Sequence, residues 1–388
     1  MQNVTQDWEQ TNRSSLTRPA NVILSMSLND GREPIITNQK LISFSYIKAG
    51  DPLSSILTQD SITFTIDNTD GRFTYDPETS DIYKNAFVSV TCGFMKPNYQ
   101  DYDGISGGKY YISDVDMNAT QERISFTAKT ILAFMKAKCS PISTDAYTAA
   151  MAIISQAESD DGVPASSITR VFDQTVMSEF NVSITSDDSY SMAEALQLIA
   201  NACGCVLYVD RNGAVHIEPL ETETENYVIS NRLCYEMPKV TYGERVGKVR
   251  LNYNHGSGTA VTTSAAAKDG GTQICTNPIM TTDFDALDRA RAIAAYYQTS
   301  RRKISGKYRA DPRIDLFDIV VIPNGDKVSA CCITNLNLTF NGGWRGTFEA
   351  IEIPGAELNM RICDIEQLTV KQLESLTISQ LDPNNGGE

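Results

Sequence analysis

The sequence predicts a mainly β protein with an α/β insertion, in which two related β-barrel (tube-like) domains flank a small α/β domain. Three observations support this fold class. Short segments of alternating polar and apolar residues, separated by Gly- and Asp-containing turns, fill residues 21–135 and recur in 231–355, a pattern that favours a barrel or a sandwich. Residues 136–230 instead contain two stretches with apolar residues at helical spacing. The two strand regions also resemble each other in sequence.

The chain of 388 residues is therefore divided into five predicted parts. These are a flexible N-terminal arm (1–20), a first β-barrel domain (21–135), the α/β insertion domain (136–230), a second β-barrel domain (231–355) and a C-terminal docking tail (356–388). The arm is polar and has one aromatic side chain, Trp8. We expect the arm either to be flexible or to become ordered only on a partner.

The first strand region shows the clearest alternation at residues 61–67. Ile62, Phe64 and Ile66 fall on one face of a strand there, because successive side chains of a strand point to opposite faces. Turn signals at 29–31 and 70–71 bound neighbouring strands. The other predicted strands of this region are 22–24, 41–46, 87–92, 109–117 and 123–127.

The middle region carries helix signals. Residues 145–159 have helical spacing, and Asp145 or Thr144 precedes them as a candidate N-cap. Ser191 and Glu194 have capping-box spacing at the start of a second helix, which ends at Gly204. An Asn-Gly turn at 210–213 predicts a hairpin of strands 205–209 and 214–219.

The second strand region contains one helix, predicted over 283–300 from its apolar stripe. Residues 257–271 are rich in Gly, Ser and Ala, and we expect them to form a loop. The predicted strands are 246–253, 302–308, 319–322, 329–339 and 346–353.

Residues 110–117 and 331–338 match in polarity at every position. A turn follows each, and then 124–128 matches 346–350; upstream, a β-rich strand (87–90 and 319–322) and a Gly-containing loop precede each block. Two explanations remain open, since a duplicated domain and two independent amphipathic hairpins both produce such a pattern. If the domain is duplicated, three chains can form a ring that offers six similar units to a six-fold tube and has three-fold symmetry on its other side.

The composition excludes several classes of protein. The formal charge of −15 argues against a non-specific nucleic-acid binder, which needs clustered Lys and Arg. No apolar run approaches the roughly 18–20 residues of a membrane-spanning helix, and the N-terminus lacks signal-peptide features, so we expect synthesis in a cytoplasm without export by the ordinary route. Nine cysteines without a CxxC pair indicate reduced, buried thiols rather than a metal or redox site.

Several stretches resemble the central baseplate or tail-tip hub proteins of tailed bacteriophages and related contractile particles. The resemblance spans about residues 21–355, and its carriers are 60–73, 107–112, 191–196, 209–213, 316–322 and 338–344. It implies a trimeric ring that adapts a six-fold tail tube to a three-fold spike or fibre, with two tube-like barrels per chain around a channel. Members often carry a C-terminal peptidase or muralytic domain, which we do not expect here.

The sequence supports no active site, so no catalytic, cofactor-binding or metal-binding residue is predicted and the protein is expected not to be an enzyme. His216 lies within a predicted strand and His255 in a Gly-rich turn, and common nucleophile, zinc and phosphate motifs are absent. Asp67 and Asn68 are expected to hydrogen-bond the backbone of a turn. Two alternatives remain: a tail-tip cell-wall hydrolase, and a surface carbohydrate-binding module.

The C-terminal tail repeats one pattern three times: a capping residue, a β-branched residue, a spacer, Gln and Leu. The capping-box spacing predicts short helical turns. So short a segment cannot bury its own apolar side chains, so they need either a partner chain or the body of this protein. We favour a partner. The predicted docking residues are Ile365, Leu368, Val370, Leu373, Ile378 and Leu381, together with Trp8 of the arm.

Together with the repeat, this resemblance implies a structural hub of a virion tail, synthesised in the host cytoplasm. The predicted partners are two further copies in a homotrimer, the tail tube or a distal tail protein, a spike, fibre or tail-tip protein, and the C-terminus of a tape-measure protein. DNA would pass through the channel without specific binding. If much of the negative charge lines that channel, it repels DNA phosphate; the alternative is that the charge serves solubility.

Overall fold

The computed structural model describes residues 5, 8, 20–74, 81–96, 101–117, 120, 122–220, 227–243, 246–263, 270–299, 302–324, 327–353 and 368–374. Over these residues the protein is mainly β, as the sequence predicted. The helices and small sheets of its middle part lie between two sets of strands along the chain.

The strands of the first region are β1 (Ala20–Ser27), β2 (Ile35–Ile36), β3 (Leu41–Ala49), β4 (Gln59–Asp67), β5 (Phe87–Met95), β6 (Tyr102–Met117) and β7 (Arg123–Lys129). Those of the middle region are β8 (Ile142–Asp145), β9 (Arg170–Phe172), β10 (Asn181–Ile184), β11 (Cys205–Val209) and β12 (Val215–Pro219). The last region contains β13 (Lys239–Tyr242), β14 (Val246–Tyr253), β15 (Gly258–Thr263), β16 (Gly271–Asn277), β17 (Arg302–Tyr308), β18 (Ile319–Asn324), β19 (Lys327–Phe340) and β20 (Trp344–Glu352).

The helices are α1 (Ala146–Glu158), α2 (Gln174–Met177), α3 (Met192–Cys203), α4 (Asp283–Thr299) and α5 (Val370–Glu374). Asp145 caps α1 by accepting from the Thr148 amide at 2.9 Å. Ser191 and Glu194 form the expected capping box of α3, and Gly204 ends that helix in the left-handed conformation with φ +73°. The predicted helices are therefore confirmed with their caps, because these signals act within one turn of the chain.

Both strand regions contribute to a single 12-stranded sheet. Its order is β13-β17-β20-β19-β3-β4-β7-β6-β5-β1-β2, with β18 paired to β19 beside this path. The two regions meet where β3 pairs antiparallel with residues 335–340 of β19. Long-range pairing of this kind depends on tertiary structure, and no local pattern in the sequence predicts it.

Three smaller sheets complete the described part: β10-β8, β11-β12-β9 and β15-β14-β16. The predicted hairpin β11–β12 is present, and Gly213 in its turn has φ +86°. The expectation of a loop over 257–271 is wrong in part, because β15 occupies Gly258–Thr263 and β16 begins at Gly271. Small residues form strands there because β14 supplies hydrogen-bonding partners on both of its edges.

Two large apolar clusters form the cores. One lies on the large sheet and draws on both strand regions, including Phe64, Phe126 and Phe348. The other combines residues from the middle region with residues 246–294. The predicted domain boundaries remain a prediction.

Candidate assembly surface of the large sheet

The sequence repeat corresponds to a repeat in strand pairing. β6 pairs with β7 in a ladder whose register shifts between Ile112 and Asp114. β19 pairs with β20 in a ladder whose register shifts between Ile333 and Asn335, the same position in the aligned sequences. Beyond the shift, Phe126 lies opposite Val115 and Phe348 lies opposite Leu336. Two unrelated hairpins need share neither a bulge position nor the register that follows it, so this agreement favours the duplicated domain.

Side-chain hydrogen bonds at the two bulges also correspond. The extra residues are Ser113 and Thr334. The Ser113 hydroxyl donates to the Thr127 carbonyl at 3.1 Å, and the Thr334 hydroxyl donates to the Glu349 carbonyl at 3.3 Å. Thr127 and Glu349 are themselves aligned residues of the repeat. A bulge leaves one residue without a ladder partner, and in both halves a hydroxyl contacts the strand opposite it.

The upstream strands extend the correspondence. Phe87 of β5 lies opposite Tyr111, and Ile319 of β18 lies opposite Cys332, its aligned position. The Ile112 amide donates to the carbonyl of the residue before β5 at 2.9 Å, and the Ile333 amide donates to the carbonyl of the residue before β18 at 2.9 Å. The same strand order, register and bulge therefore occur twice in one chain.

The face of the large sheet opposite its apolar core is polar across both halves. It carries small hydroxyl and amide side chains such as Thr63, Ser125 and Asn337. Its charged residues have both signs. The basic ones include Lys239, Lys303, Lys307 and Arg345; the acidic ones include Asp114, Asp116 and Glu349. The net negative charge of the chain is therefore not concentrated on this face.

A buried ionic cluster connects both strand regions to the β11–β12 hairpin. The Lys48 Nζ lies 3.1 Å from an Asp60 carboxylate oxygen and 2.7 Å from one of Asp315. Arg211, in the hairpin turn, contacts Asp315 at 2.9 Å and donates to the Ser106 carbonyl at 2.9 Å. Two cations and two carboxylates balance each other, which buried charges require. The cluster therefore fixes the hairpin against the sheet.

The two carboxyl groups of this cluster have opposite pKa shifts. Burial disfavours the charge of Asp315, but the Lys48 and Arg211 cations outweigh burial and hold the pKa of Asp315 well below its usual range. Burial raises the pKa of Asp60 to about 6, against the attraction of Lys48. Asp315 is therefore the permanent anion of the cluster.

Sequence reasoning missed this cluster, although a signal exists. Lys48 follows Phe44 and Tyr46 at a spacing of two, so it lies on the apolar face of β3. Asp60 breaks the alternation of β4 in the same way, on the apolar face with Ile62. A charge on the apolar face of each of two neighbouring strands indicates a buried ion pair once their register is known. The contributions of Arg211 and Asp315 depend on tertiary structure alone.

The predicted docking residues in the C-terminal tail occupy different environments. Ile365, Ile378 and Leu381 lie outside the described residues. Leu368 is buried with Val228 and Val321, and Leu373 packs against this group. Val370 is 71% exposed. The expected short helix is present as α5, and its capping box is formed by Thr369 and Gln372, whose backbone and side chains hydrogen-bond each other at 2.8 and 3.3 Å.

Trp8 is fully buried against its own chain. Its ring lies 4.7 Å from the Phe94 ring in an edge arrangement, within the large-sheet cluster. Leu368 and Leu373 thus pack on the body of the chain, which was the alternative for the tail. Trp8 of the arm also packs on the body of the chain, an outcome that the sequence analysis did not predict. Among the described residues predicted to dock, Val370 is the one that presents its side chain to solvent. Docking to a partner remains a prediction.

Both histidines contact carboxylates. The His216 Nδ1 lies 3.4 Å from Glu218 and its Nε2 lies 3.5 Å from Asp210, while its ring stacks on Tyr208 with centroids 4.8 Å apart. His255 Nδ1 lies 3.3 Å from Asp188. Asp67 and Asn68 accept from the amides of Thr69 and Phe73, as expected for a turn. The Asp67 and Asn68 contacts are those of a turn, and both histidine rings lie beside carboxylates of neighbouring residues.

Within the described ranges, no group of three His, Cys, Asp or Glu residues is placed to hold a metal ion. The described cysteines are free thiols. Burial raises the pKa of Cys139 to about 11 and that of Cys205 to about 12, so these thiols remain protonated at neutral pH. In the same described ranges, the search for a helix long and apolar enough to span a bilayer finds none.

Comparison with solved structures identifies the fold. The tail protein from Neisseria meningitidis MC58 superposes with a TM-score of 0.56 at 12% identity, covering 86% of this chain and 97% of that chain. The 43 kDa tail protein of prophage MuSo2 from Shewanella oneidensis gives a TM-score of 0.57 at 12% identity, covering 86% and 98%. This chain has the fold of phage tail proteins. The prophage tail protein gp18 from Listeria monocytogenes EGD-e also shares it, with a TM-score of 0.53 at 12% identity over 85% and 94%.

Searches of protein-family models and of curated protein sequences find no match. The likeness to phage tail proteins therefore rests on three-dimensional structure. It extends over most of this chain and nearly all of each neighbour, so it covers the large sheet and the middle region together. The predicted resemblance to tail hub proteins is confirmed at the level of the fold.

Proposed function

We propose that this chain is a non-enzymatic structural subunit of a phage or phage-derived tail, located in the virion at the baseplate or tail tip. Three copies form a ring that contacts the tail tube or a distal tail protein on one side and a spike, fibre or tail-tip protein on the other. The tape-measure C-terminus reaches the same ring. The fold shared with prophage tail proteins supports this proposal.

The single observation that supports the trimer is that the β6–β7 ladder and the β19–β20 ladder have the same register, with a bulge after Ile112 in one and after Ile333 in the other. A chain with two equivalent units supplies six such units to a ring of three, matching a six-fold tube while retaining three-fold symmetry elsewhere. The polar face of the large sheet is the surface that we assign to the channel wall. Small hydroxyl and amide groups there offer DNA phosphate no continuous basic tract.

The test is the native mass of the purified protein over a concentration series, combined with negative-stain images. We expect a species of about three times 42.7 kDa and ring-shaped top views. A chain that stays monomeric at every concentration and forms no rings contradicts the trimer. Loss of turbidity from purified cell walls would instead favour the hydrolase alternative.

A further inference from the structure

Among the unpaired strand edges of the described part of the chain, two are related by the internal repeat to edges that are paired. β3 pairs with β4 on one side and with residues 335–340 of β19 on the other. β13 corresponds to β3, because it pairs with β17 as β3 pairs with β4. The other side of β13 has no strand partner among the described strands.

The complementary edge lies at the end of β6. Residues 335–340 of β19 follow its bulge, and residues 114–117 of β6 follow the equivalent bulge. On one side, 114–117 pair with β7. On the other side, the pairing with β5 ends at Tyr111, and no described strand continues it. The ladder between β3 and residues 335–340 of β19 joins the two halves within a chain. Its equivalents in the repeat, β13 and residues 114–117 of β6, are therefore both free to pair with another chain.

We propose, building on the ring described above, that β13 of one chain pairs antiparallel with residues 114–117 of a second copy. The intrachain ladder fixes the register: Tyr46 lies opposite Leu338, and Ile47 lies opposite Asn337. When this register is applied to the equivalent residues of the repeat, Val240 of one chain lies opposite Met117 of the other, and Thr241 lies opposite Asp116. Tyr242 then lies opposite Val115.

The side chains at these edges suit this pairing. Tyr242 is 73% exposed in the single chain, and pairing places Val115 against it. Val115, Met117 and Val240 are half-buried at the margin of the large-sheet core, so joining the edges extends that core between chains. In this pairing, Asp116 of one chain lies diagonally across from Lys239 of the other, and their opposite charges attract each other on the polar face.

The occupant is a second copy because both edges belong to one chain and differ from each other. Such a contact is head-to-tail, and it closes into a ring when the rotation per chain allows. It also covers an exposed strand edge, which soluble proteins otherwise protect from uncontrolled pairing.

Disulfide trapping of the full chain tests the register. Asp116→Cys and Thr241→Cys are combined, since both positions are exposed on the polar face and a directly opposite pair has Cβ atoms about 4.5–5.5 Å apart. The matched control combines Asp116→Cys with Tyr242→Cys, which points to the other face. We expect covalent multimers on non-reducing gels, at about tenfold higher yield than in the control.

The outcomes separate this pairing from the ring itself. A trimer that gives no excess of the in-register product overturns the pairing and leaves the trimer standing. A chain that is monomeric by native mass but gives the register-specific product supports the pairing and counts against a stable ring in solution. A monomeric chain without that product overturns both.

Discussion

At the scale of single residues, the most constrained group is the carboxylate of Asp315. It contacts Lys48 of β3 at 2.7 Å and Arg211 of the β11–β12 hairpin at 2.9 Å. Both cationic side chains are almost fully buried, so neither can recover its hydration without this partner. One side chain thereby joins three parts of the chain that are distant in sequence.

We expect Asp315→Asn to lower the free energy of unfolding by about 3–5 kcal/mol, because it leaves buried positive charge without compensation. Chemical denaturation of both proteins at pH 7 measures this difference. The control is Asp288→Asn, whose partner Arg291 is exposed, and its effect should stay below about 0.5 kcal/mol. Equal effects of the two variants would contradict the role assigned to the cluster.

The same substitution has a predicted pH dependence. Because Lys48 and Arg211 hold the pKa of Asp315 well below its usual range despite burial, its ionised form stabilises the fold above the unfolded pKa of about 3.9. This contribution is lost as the pH falls from about 4 toward the lower folded pKa. The stability difference between wild type and Asp315→Asn should therefore be full at pH 7 and shrink below about pH 4. A difference that grows on acidification would contradict the sign of the shift.

At the scale of elements, β6 and β19 have bulges at equivalent positions of the repeat, and each bulge determines which side chains of its strand face the core. Each bulge moves the residues after it onto a new alternation. Consequently Val115 and Leu336 turn toward the core, while Asp114 and Asn335 remain on the polar face.

We expect Ser113→Ala and Thr334→Val each to cost about 0.5–1.5 kcal/mol of unfolding free energy, since each removes a hydroxyl bonded to the opposite strand. Equilibrium unfolding measures both. Thr63→Val is the control, because Thr63 lies exposed on the same face within a regular ladder, and it should be nearly neutral. A large cost at one bulge with none at the other would argue against their equivalence.

The tail helix α5 offers a prediction that separates packing from docking. Leu368→Ala should lower the free energy of unfolding by about 2–5 kcal/mol, because it removes the contact with Val228 and Val321. Val370→Asp should leave stability unchanged, since its side chain is 71% exposed, and should weaken binding if the tail docks on a partner. Thermal unfolding and co-purification with the other tail proteins measure the two effects. Unimpaired assembly of Val370→Asp would exclude this residue from docking.

At the scale of the whole molecule, charge and sheet organisation have to be considered together. The chain carries −15, yet the polar face of the large sheet mixes Lys239, Lys303 and Lys307 with Asp114 and Asp116. The net charge of the chain raised the possibility of an acidic channel wall, but the polar face of the large sheet carries charges of both signs. Glu349 of β20 lies opposite Ser305, between Lys303 and Lys307 of β17, so the lysines of this face are interspersed with acidic groups and, among the described residues, form no continuous basic tract for phosphate.

We expect the purified protein to give no complex with duplex DNA at ~10 µM protein and near-physiological salt, since non-specific binding requires clustered Lys and Arg. A gel-shift titration measures this, with a basic DNA-binding protein as the positive control. A salt-sensitive complex at lower concentration would contradict the proposed passive channel.

Much of this protein is determined locally and could be predicted from the sequence. The capping residues Asp145 and Ser191, the left-handed Gly204 and the turn at Gly213 act through hydrogen bonds and backbone preferences within a few residues. The strand repeat was also visible in the sequence, because both copies have the same alternation of polar and apolar residues.

Only the tertiary structure decided which distant groups meet. The pairing of β3 with β19, the meeting of Arg211 with Asp315 and the burial of Trp8 each join segments far apart in sequence. The strands of 257–271 likewise depend on β14 as a template rather than on their own composition. Local propensities determine whether a segment forms a helix, a strand or a turn. Which distant segments contact each other is determined by burial and strand pairing, because the native contacts are those that minimise the free energy of the whole chain.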